Sequence, residues 1–290
     1  MNSPWKPHPP RSGRKPGGQE RPRASQPRDD RSDRQPMDND AMPPVRPANE
    51  LRLYGFNAVQ AVFARQPQRI RKLYLAEARI PQLQPLLAWC VKHRVGYRVV
   101  ADADLNKLAS SSHHEGVVVD VLKAEPLSLE AWLGQLPAGP ALAIWLDGVG
   151  NPHNFGAILR SAAHFGVAGI LQPADTSLAL SGAAARVAEG GAESVALVRM
   201  GEAGDAMTQL RAAGFQLAAT VVRGGADVFT RELPQRLIYV MGAEGEGMAR
   251  NLAKDCDMQL SIPGSGAVES LNVAAATAVL LAQWRLKHRL

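Results

Sequence analysis

Apolar and polar positions change rhythm twice along the chain. From Leu51, short apolar runs alternate with helical periods: a helix around Asn57 to Arg65, a strand "KLYLA", a helix from Pro81 to His93, a strand "YRVV", a short helix at 103–109 and a strand "GVVVDVL". This alternation predicts a small α/β domain over 51–123. From residue 141 the runs "ALAIWLDGV", "VAGILQ", "VALVRM", "FQLAATVV", "RLIYVMG" and "MQLSIPG" follow one another, most of them separated by helical or glycine-rich segments. Strands buried on both faces and joined by helices predict an open, doubly wound parallel sheet over 141–290. The segment 124–140, with Pro126, Pro137 and Pro140 around one amphipathic turn, reads as a linker.

Composition adds a third region. Residues 1–50 hold 11 of the 21 prolines and no Leu, Ile or Phe, too little apolar area to offset the entropy of ordering, so a disordered arm is expected there. Within it, residues 1–28 carry seven Lys/Arg against one Glu, and the whole chain of 290 residues has a formal charge of +6, which favours a polyanionic partner. Cys90 and Cys256 stand far apart with no CxxC or Cys/His cluster, which argues against a zinc or disulfide scaffold. His113 and His114 are adjacent and would point to opposite faces of a strand, so no metal site is expected and a structural or RNA-contacting role suits them better. No apolar run is long enough to span a membrane, and an arm of prolines and charges does not read as a signal peptide. The expectation is a soluble, cytoplasmic protein.

The familiar nucleotide fingerprints do not fit. No glycine-rich turn ends in Gly-Lys-Ser/Thr, and "GSGAVE" at 264–269 has Glu269 at the sixth position, with no later strand to carry a ribose-binding acid. No G-x-S-x-G supports hydrolase chemistry.

In open parallel sheets, ligands bind beyond the carboxyl ends of strands, which directs attention to three loops. "NPHNFGAILRSAAHFG" at 151–166 opens a helix: Asn154 reads as its cap, Phe155, Ile158, Leu159, Ala162 and Phe165 as its core face, and Gly166 as its terminator. Arg160 projects away from that face, as a solvated residue or one aimed at a ligand; this loop alone does not choose. "MGAEGEGM" at 241–248 reads as a tight backbone wall or a surface turn. In "IPGSGAVESLNVAAATAVLLAQW" at 262–284, Ser270 can cap a long helix with Asn272 in its first turn, and Leu271, Ala275, Ala278 and Ala282 lie at core spacing.

"NPHNFGAILR", "GAEGEGM" and "IPGSGAVESLN", in this order, resemble the three motifs of the SpoU (TrmH-type) family of RNA ribose 2′-O-methyltransferases in the SPOUT superfamily. "LYGFNAV…RIRKLYLA…HHEGVVVDV" more loosely resembles the small substrate-binding domain many members carry in front. The resemblance implies a SPOUT-type domain with a carboxy-terminal trefoil knot, a homodimer with sites at the subunit interface, S-adenosyl-L-methionine as cofactor, and ribosomal or transfer RNA, with ribosomal RNA preferred and no DNA, as substrate. Position by position it implies catalytic roles for Asn154, Arg160, Glu244, Ser270 and Asn272, and cofactor binding by Thr220, Gly242, Gly247, Ile262 and Leu271. Ala274 and Gly264 depart from a serine and a methionine frequent in the family. An RNA-binding protein that has kept the knot and lost turnover is the competing reading.

The arm either holds RNA through phosphates or only solvates the chain. Comparing the salt dependence of RNA binding with and without residues 1–50 separates the two. A shallower slope on truncation assigns the arm to RNA, and an unchanged slope returns it to a solvated tail.

Overall fold

The computed structural model describes residues 47–243 and 247–288. The expected arm therefore lies outside the described residues apart from 47–50.

The first sheet is built from β1 (Glu50–Tyr54), α1 (Phe56–Arg65), β2 (Ile70–Leu75), α2 (Ile80–Lys92), β3 (Gly96–Val99), α3 (Asp102–Ala109) and β4 (Val117–Leu122), in the strand order β1-β4-β2-β3. β4 is antiparallel to β1 and β2, and β3 runs parallel to β2. Helices α1 and α2 fill one face with Val59, Val62, Leu83 and Leu86 against Leu53, Leu73 and Val119, and α3 inserts Leu105 between Tyr54, Tyr74 and Val118 on the other. Strand β1, not among the elements expected from the sequence, turns Arg52 inward. Its guanidinium meets the Asp120 carboxylate twice, at 2.6 and 2.8 Å, with both residues buried. His114 is likewise buried and structural: Gly116 N donates to its Nδ1, so Nε2 carries the proton shared with Asn106 Oδ1 at 3.1 Å.

The second sheet contains β5 (Leu127–Ser128), α4 (Leu129–Gln135), β6 (Ala141–Leu146), α5 (Pro152–Phe165), β7 (Gly169–Gln172), α6 (Gly182–Ala188), β8 (Ala196–Arg199), α7 (Ala203–Ala212), β9 (Gln216–Thr220), β10 (Ala226–Asp227), β11 (Arg236–Met241), α8 (Arg250–Asp255), β12 (Met258–Ser261) and α9 (Val273–Lys287). Its order is β10-β12-β9-β11-β6-β7-β8-β5, and every pairing is parallel. One face is covered by Phe155, Ile158 and Leu159 of α5 with Leu281 and Trp284 of α9; the other is covered by Trp132 of α4 and Leu210 of α7. The segment expected as a linker thus supplies an edge strand and a helix, because Trp132 has a core to enter and donates its indole N–H to Ala168 O at 3.0 Å. Among the described residues no helix is long and apolar enough to cross a membrane.

The two sheets meet through α6 and the turn after it. A Cβ on Gly182 would lie 2.6 Å from the Tyr54 ring and 2.8 Å from Arg52 O, so β1 rests directly on the start of α6. Arg186 pairs with Glu115 at 2.6 Å and with Glu189, while Arg69 pairs with Glu193 at 2.9 Å. Hydrogen bonds from Asn57 and then Arg186 hold the Glu189 carboxyl below its usual range. A lowered carboxyl stabilises the fold above the ordinary glutamate range and loses that contribution as pH falls through its depressed value.

Removing one partner of a buried pair leaves the other charge uncompensated. Asp120→Ala is expected to destabilise the protein by about 3–5 kcal/mol in urea titrations; a change within the scatter of surface substitutions overturns that role for the Arg52–Asp120 pair.

Candidate active site

Three loops leave the carboxyl ends of β6, β11 and β12, and hydrogen bonds fasten them to one another. After β6, Asp147 N donates to Met241 O at 2.8 Å, and the Asp147 carboxylate accepts from Ala249 N at 3.1 Å, joining the first loop to the second. Helix α5 then starts at Pro152, whose fixed φ and missing N–H suit the first helical position. Its cap is Asn151, which accepts from His153 N at 2.8 Å, and not Asn154 as the sequence suggested. Asn154 is displaced into the first turn, where its Oδ1 accepts from Asn272 Nδ2 at 2.9 Å, joining the first loop to the third. Phe155, Ile158, Leu159 and Ala162 are fully buried, Phe165 is half-buried, and Gly166 closes the helix at φ 71.

The second loop folds back on itself. Ala243 and Gly247 exchange two backbone hydrogen bonds of 3.0 Å, and Gly247 takes φ 75. A Cβ on Gly242 would collide with Met248 N and the Gly247 carbonyl, so only glycine lets the loop close here. Glu244 lies outside the described residues.

The third loop is longer than the sequence suggested. Helix α9 starts at Val273 and is capped by Asn272, whose Oδ1 accepts from Ala274 N at 3.0 Å and Ala275 N at 3.3 Å. Ser270 is therefore an exposed loop residue and not the cap. The expected core stripe is out of phase: Leu271, Ala275 and Ala282 are exposed, while Val273, Thr277, Leu280, Leu281 and Trp284 are buried. Burying the bulkier side chains, with the alanines outward, removes more apolar area from water. Ala274 packs in the core beside Val273 and does not line the cavity, so the family serine it replaces would stand away from the cavity wall.

Between these loops lies a cavity of about 630 Å³, lined by Thr220, Gly242, Gly247, Ile262 and Leu271 together with Ser270 and Asn272. Met241, Leu260, Val273 and Leu280, which the sequence did not single out, form much of its apolar wall. Met241 ends β11, Leu260 lies one residue from the end of β12 and Val273 opens α9, each beside a motif, whereas Leu280 in the middle of α9 carried no such signal. Thr220 Oγ1 donates to Val240 O at 2.8 Å, holding the ends of β9 and β11 together. Asn154 and Arg160 do not line the cavity. Arg160 is exposed, six residues and about 9 Å along α5 from Asn154. Among the described residues no group of His, Cys, Asp and Glu could hold a metal ion.

The volume falls within the roughly 300–1,000 Å³ of small-molecule sites. Glu269 is the one charged side chain among the described lining residues, so recognition is left to main-chain groups, hydroxyls and amides over an apolar floor. That donor set fits the nucleoside part of S-adenosylmethionine, with an apolar surface for the base and main chain for its polar edge.

A parallel, doubly wound sheet with a nucleoside-sized cavity at its carboxyl edge defines a nucleotide-cofactor-binding α/β protein. A family model described as the SpoU rRNA methylase family matches residues 141–282, and one described as RNA 2′-O ribose methyltransferase substrate binding matches 52–127. The 23S rRNA (guanosine-2′-O-)-methyltransferase RlmB of Vibrio cholerae is 37% identical over 238 residues, 81% of this chain and 95% of that protein. The uncharacterized tRNA/rRNA methyltransferase YfiF of Escherichia coli O157:H7 is 35% identical over 237 residues, 82% of this chain and 68% of that protein. In fold, the SpoU methyltransferase AviRb from Streptomyces viridochromogenes, solved in complex with AdoMet, is similar with a TM-score of 0.70 at 24% identity, covering 83% of this chain and 92% of that one. The chain belongs to the SpoU methylase family.

Gly242→Ala forces the turn at Gly247 and Met248 to move. It is expected to weaken S-adenosylmethionine binding about tenfold or more in calorimetry, with the urea midpoint little changed; undiminished affinity would show that the close approach at Gly242 does not shape the cavity.

Proposed function

We propose that the protein transfers a methyl group from S-adenosylmethionine to a ribose 2′-hydroxyl of ribosomal RNA, in the cytoplasm and as a homodimer with a trefoil-knotted carboxy-terminal domain. The observation that carries this reading is the cavity itself: Thr220, Gly242, Gly247, Ile262 and Leu271, the positions matching the family's cofactor contacts, lie around one space beside Asn272. The preference for ribosomal over transfer RNA rests on the RlmB relatives, which are named as 23S rRNA methyltransferases.

Bound S-adenosylmethionine supplies an electrophilic methyl on a sulfonium. The chain's part is to hold the ribose hydroxyl in line and to stabilise the charge left as its proton departs. Asn272 and Asn154, bonded to each other at 2.9 Å, set the edge of the cavity against the first turn of α5 and orient the ribose. Ser270 and Glu244 complete the polar rim. Arg160 remains protonated and acts as the electrostatic stabiliser of the forming alkoxide and anchor of the adjacent phosphate, not as the base. Its exposure outside its own chain's cavity supports a dimer in which Arg160 serves the partner's site. Val268 and Leu271, 72% and 47% exposed beside the mouth, give apolar area for such an interface to cover.

Three measurements test this. A map of ribose methylation across total RNA, with and without the gene, is expected to lose one site in ribosomal RNA; loss of a transfer-RNA site instead corrects the substrate, and calorimetry showing no S-adenosylmethionine binding leaves the RNA-binding reading alone standing. Arg160→Lys keeps the charge and loses the planar fork, so turnover is expected to fall about tenfold or more with cofactor affinity unchanged; near-full activity removes the planar role.

A further inference from the structure

The small sheet carries a surface that the methyl-transfer site does not use. Strand β3 is exposed at all four positions and is an edge strand, paired with β2 alone among the described strands. The register places Arg98 beside Tyr74 on the α3 side, and Tyr97 and Val99 beside Leu73 and Leu75 on the other. Tyr97 is 42% exposed and Val99 48%, on an edge where a stable core would bury both. Five cations, Arg71, Lys72, Lys92, Arg94 and Arg98, gather along β3 and at the amino ends of β2 and β3. None forms an ion pair with a described residue; Lys72 instead lies over the Tyr74 ring at 5.1 Å. The acids Glu77, Asp102 and Asp104 follow the opposite, carboxyl ends. The strip is therefore polarised along the strands.

Cations without described counter-ions along both faces of an edge that also exposes an aromatic ring suit a single-stranded nucleic acid wrapped over that edge, in which phosphates meet the cations and an unstacked base lies on the ring. A duplex offers the phosphates but keeps its bases stacked away from Tyr97. A protein strand is a poorer fit to this edge, since charged side chains along an edge discourage strand addition. We propose that the β3 strip, centred on Tyr97 and Arg98 with Lys72 and Arg94, binds an unpaired stretch of the substrate RNA. The proposal rests on the reading of the chain as an RNA methyltransferase and names the second place where that RNA is held.

The test uses the full chain, a short fluorescent oligouridine carrying one 4-thiouridine, and a blunt RNA duplex of the same length. Ultraviolet crosslinking followed by peptide mapping is expected to place the thiouridine on β3 or the turn before it. Tyr97→Ala is expected to weaken the oligouridine about tenfold and leave the duplex unchanged. Arg94→Gln with Arg98→Gln is expected to lower the salt slope by about 0.7 per cation removed. S-adenosylmethionine affinity, read on the same variants, stays at the parent value. Crosslinks confined to the large sheet, or unchanged affinity and slope in both variants, overturn the proposal and leave the edge to a protein strand. A parent protein that binds no S-adenosylmethionine overturns the methyltransferase reading instead, and the crosslink map still decides the strip.

Discussion

Burial on both faces of the central strands is the constraint from which the rest of the large sheet follows. Residues Ala141–Leu146 of β6 are all buried, as are five of the six positions of β11. Polar side chains have almost no place along such strands, since each would need a partner inside the core. Chemistry is displaced to the strand ends, and parallel pairing puts those ends on one edge. The loop after β6 becomes a neighbour of those after β11 and β12 although its contacts with them span 102 and 118 residues of sequence. Asp147 and Asn272 are the polar residues that exploit this, each bonded across to a loop that is distant along the chain.

The same constraint explains what could be read in advance. An apolar run bounded by turn residues is unambiguous where both faces are covered, so the six large-sheet runs all became parallel strands. Strand β1, which escaped, is a short segment whose polar position, Arg52, is buried, and only the partner Asp120, 68 residues on, makes that burial sensible. The helix at Trp132 escaped for a related reason: three nearby prolines mark a linker, while a buried indole is decided by what it packs against. At the site, the positions came from the family resemblance, and seven of them line one cavity while Asn154 and Arg160 do not; the caps, read from residue types, were misplaced by two or three residues. Asn151 and Asn154 are equally good caps in isolation, as are Ser270 and Asn272. The choice is tertiary. With α9 beginning after Asn272 and α5 before Asn154, the two side chains bond across the loops, a contact that isolated cap preferences do not contain.

Helix α5 also connects the large sheet to the small one through the segment packed on its flank. Helix α5 carries Asn154 at its start and Arg160 two turns in, and two glycine contacts hold its flank. A Cβ on Gly156 would sit 2.5 Å from Ala184 O of α6, and one on Gly191 would sit 2.7 Å from Leu159 O and 3.0 Å from the Arg160 Cα. The segment seated so tightly on α5, from α6 to Glu193, is the one that grips the small sheet through Arg186, Glu189 and Glu193. Backbone contacts this close transmit position with little play, because relaxing them means moving main chain and not a rotamer. The small sheet is therefore mounted, through α6 and the turn after it, on the same helix that carries Arg160.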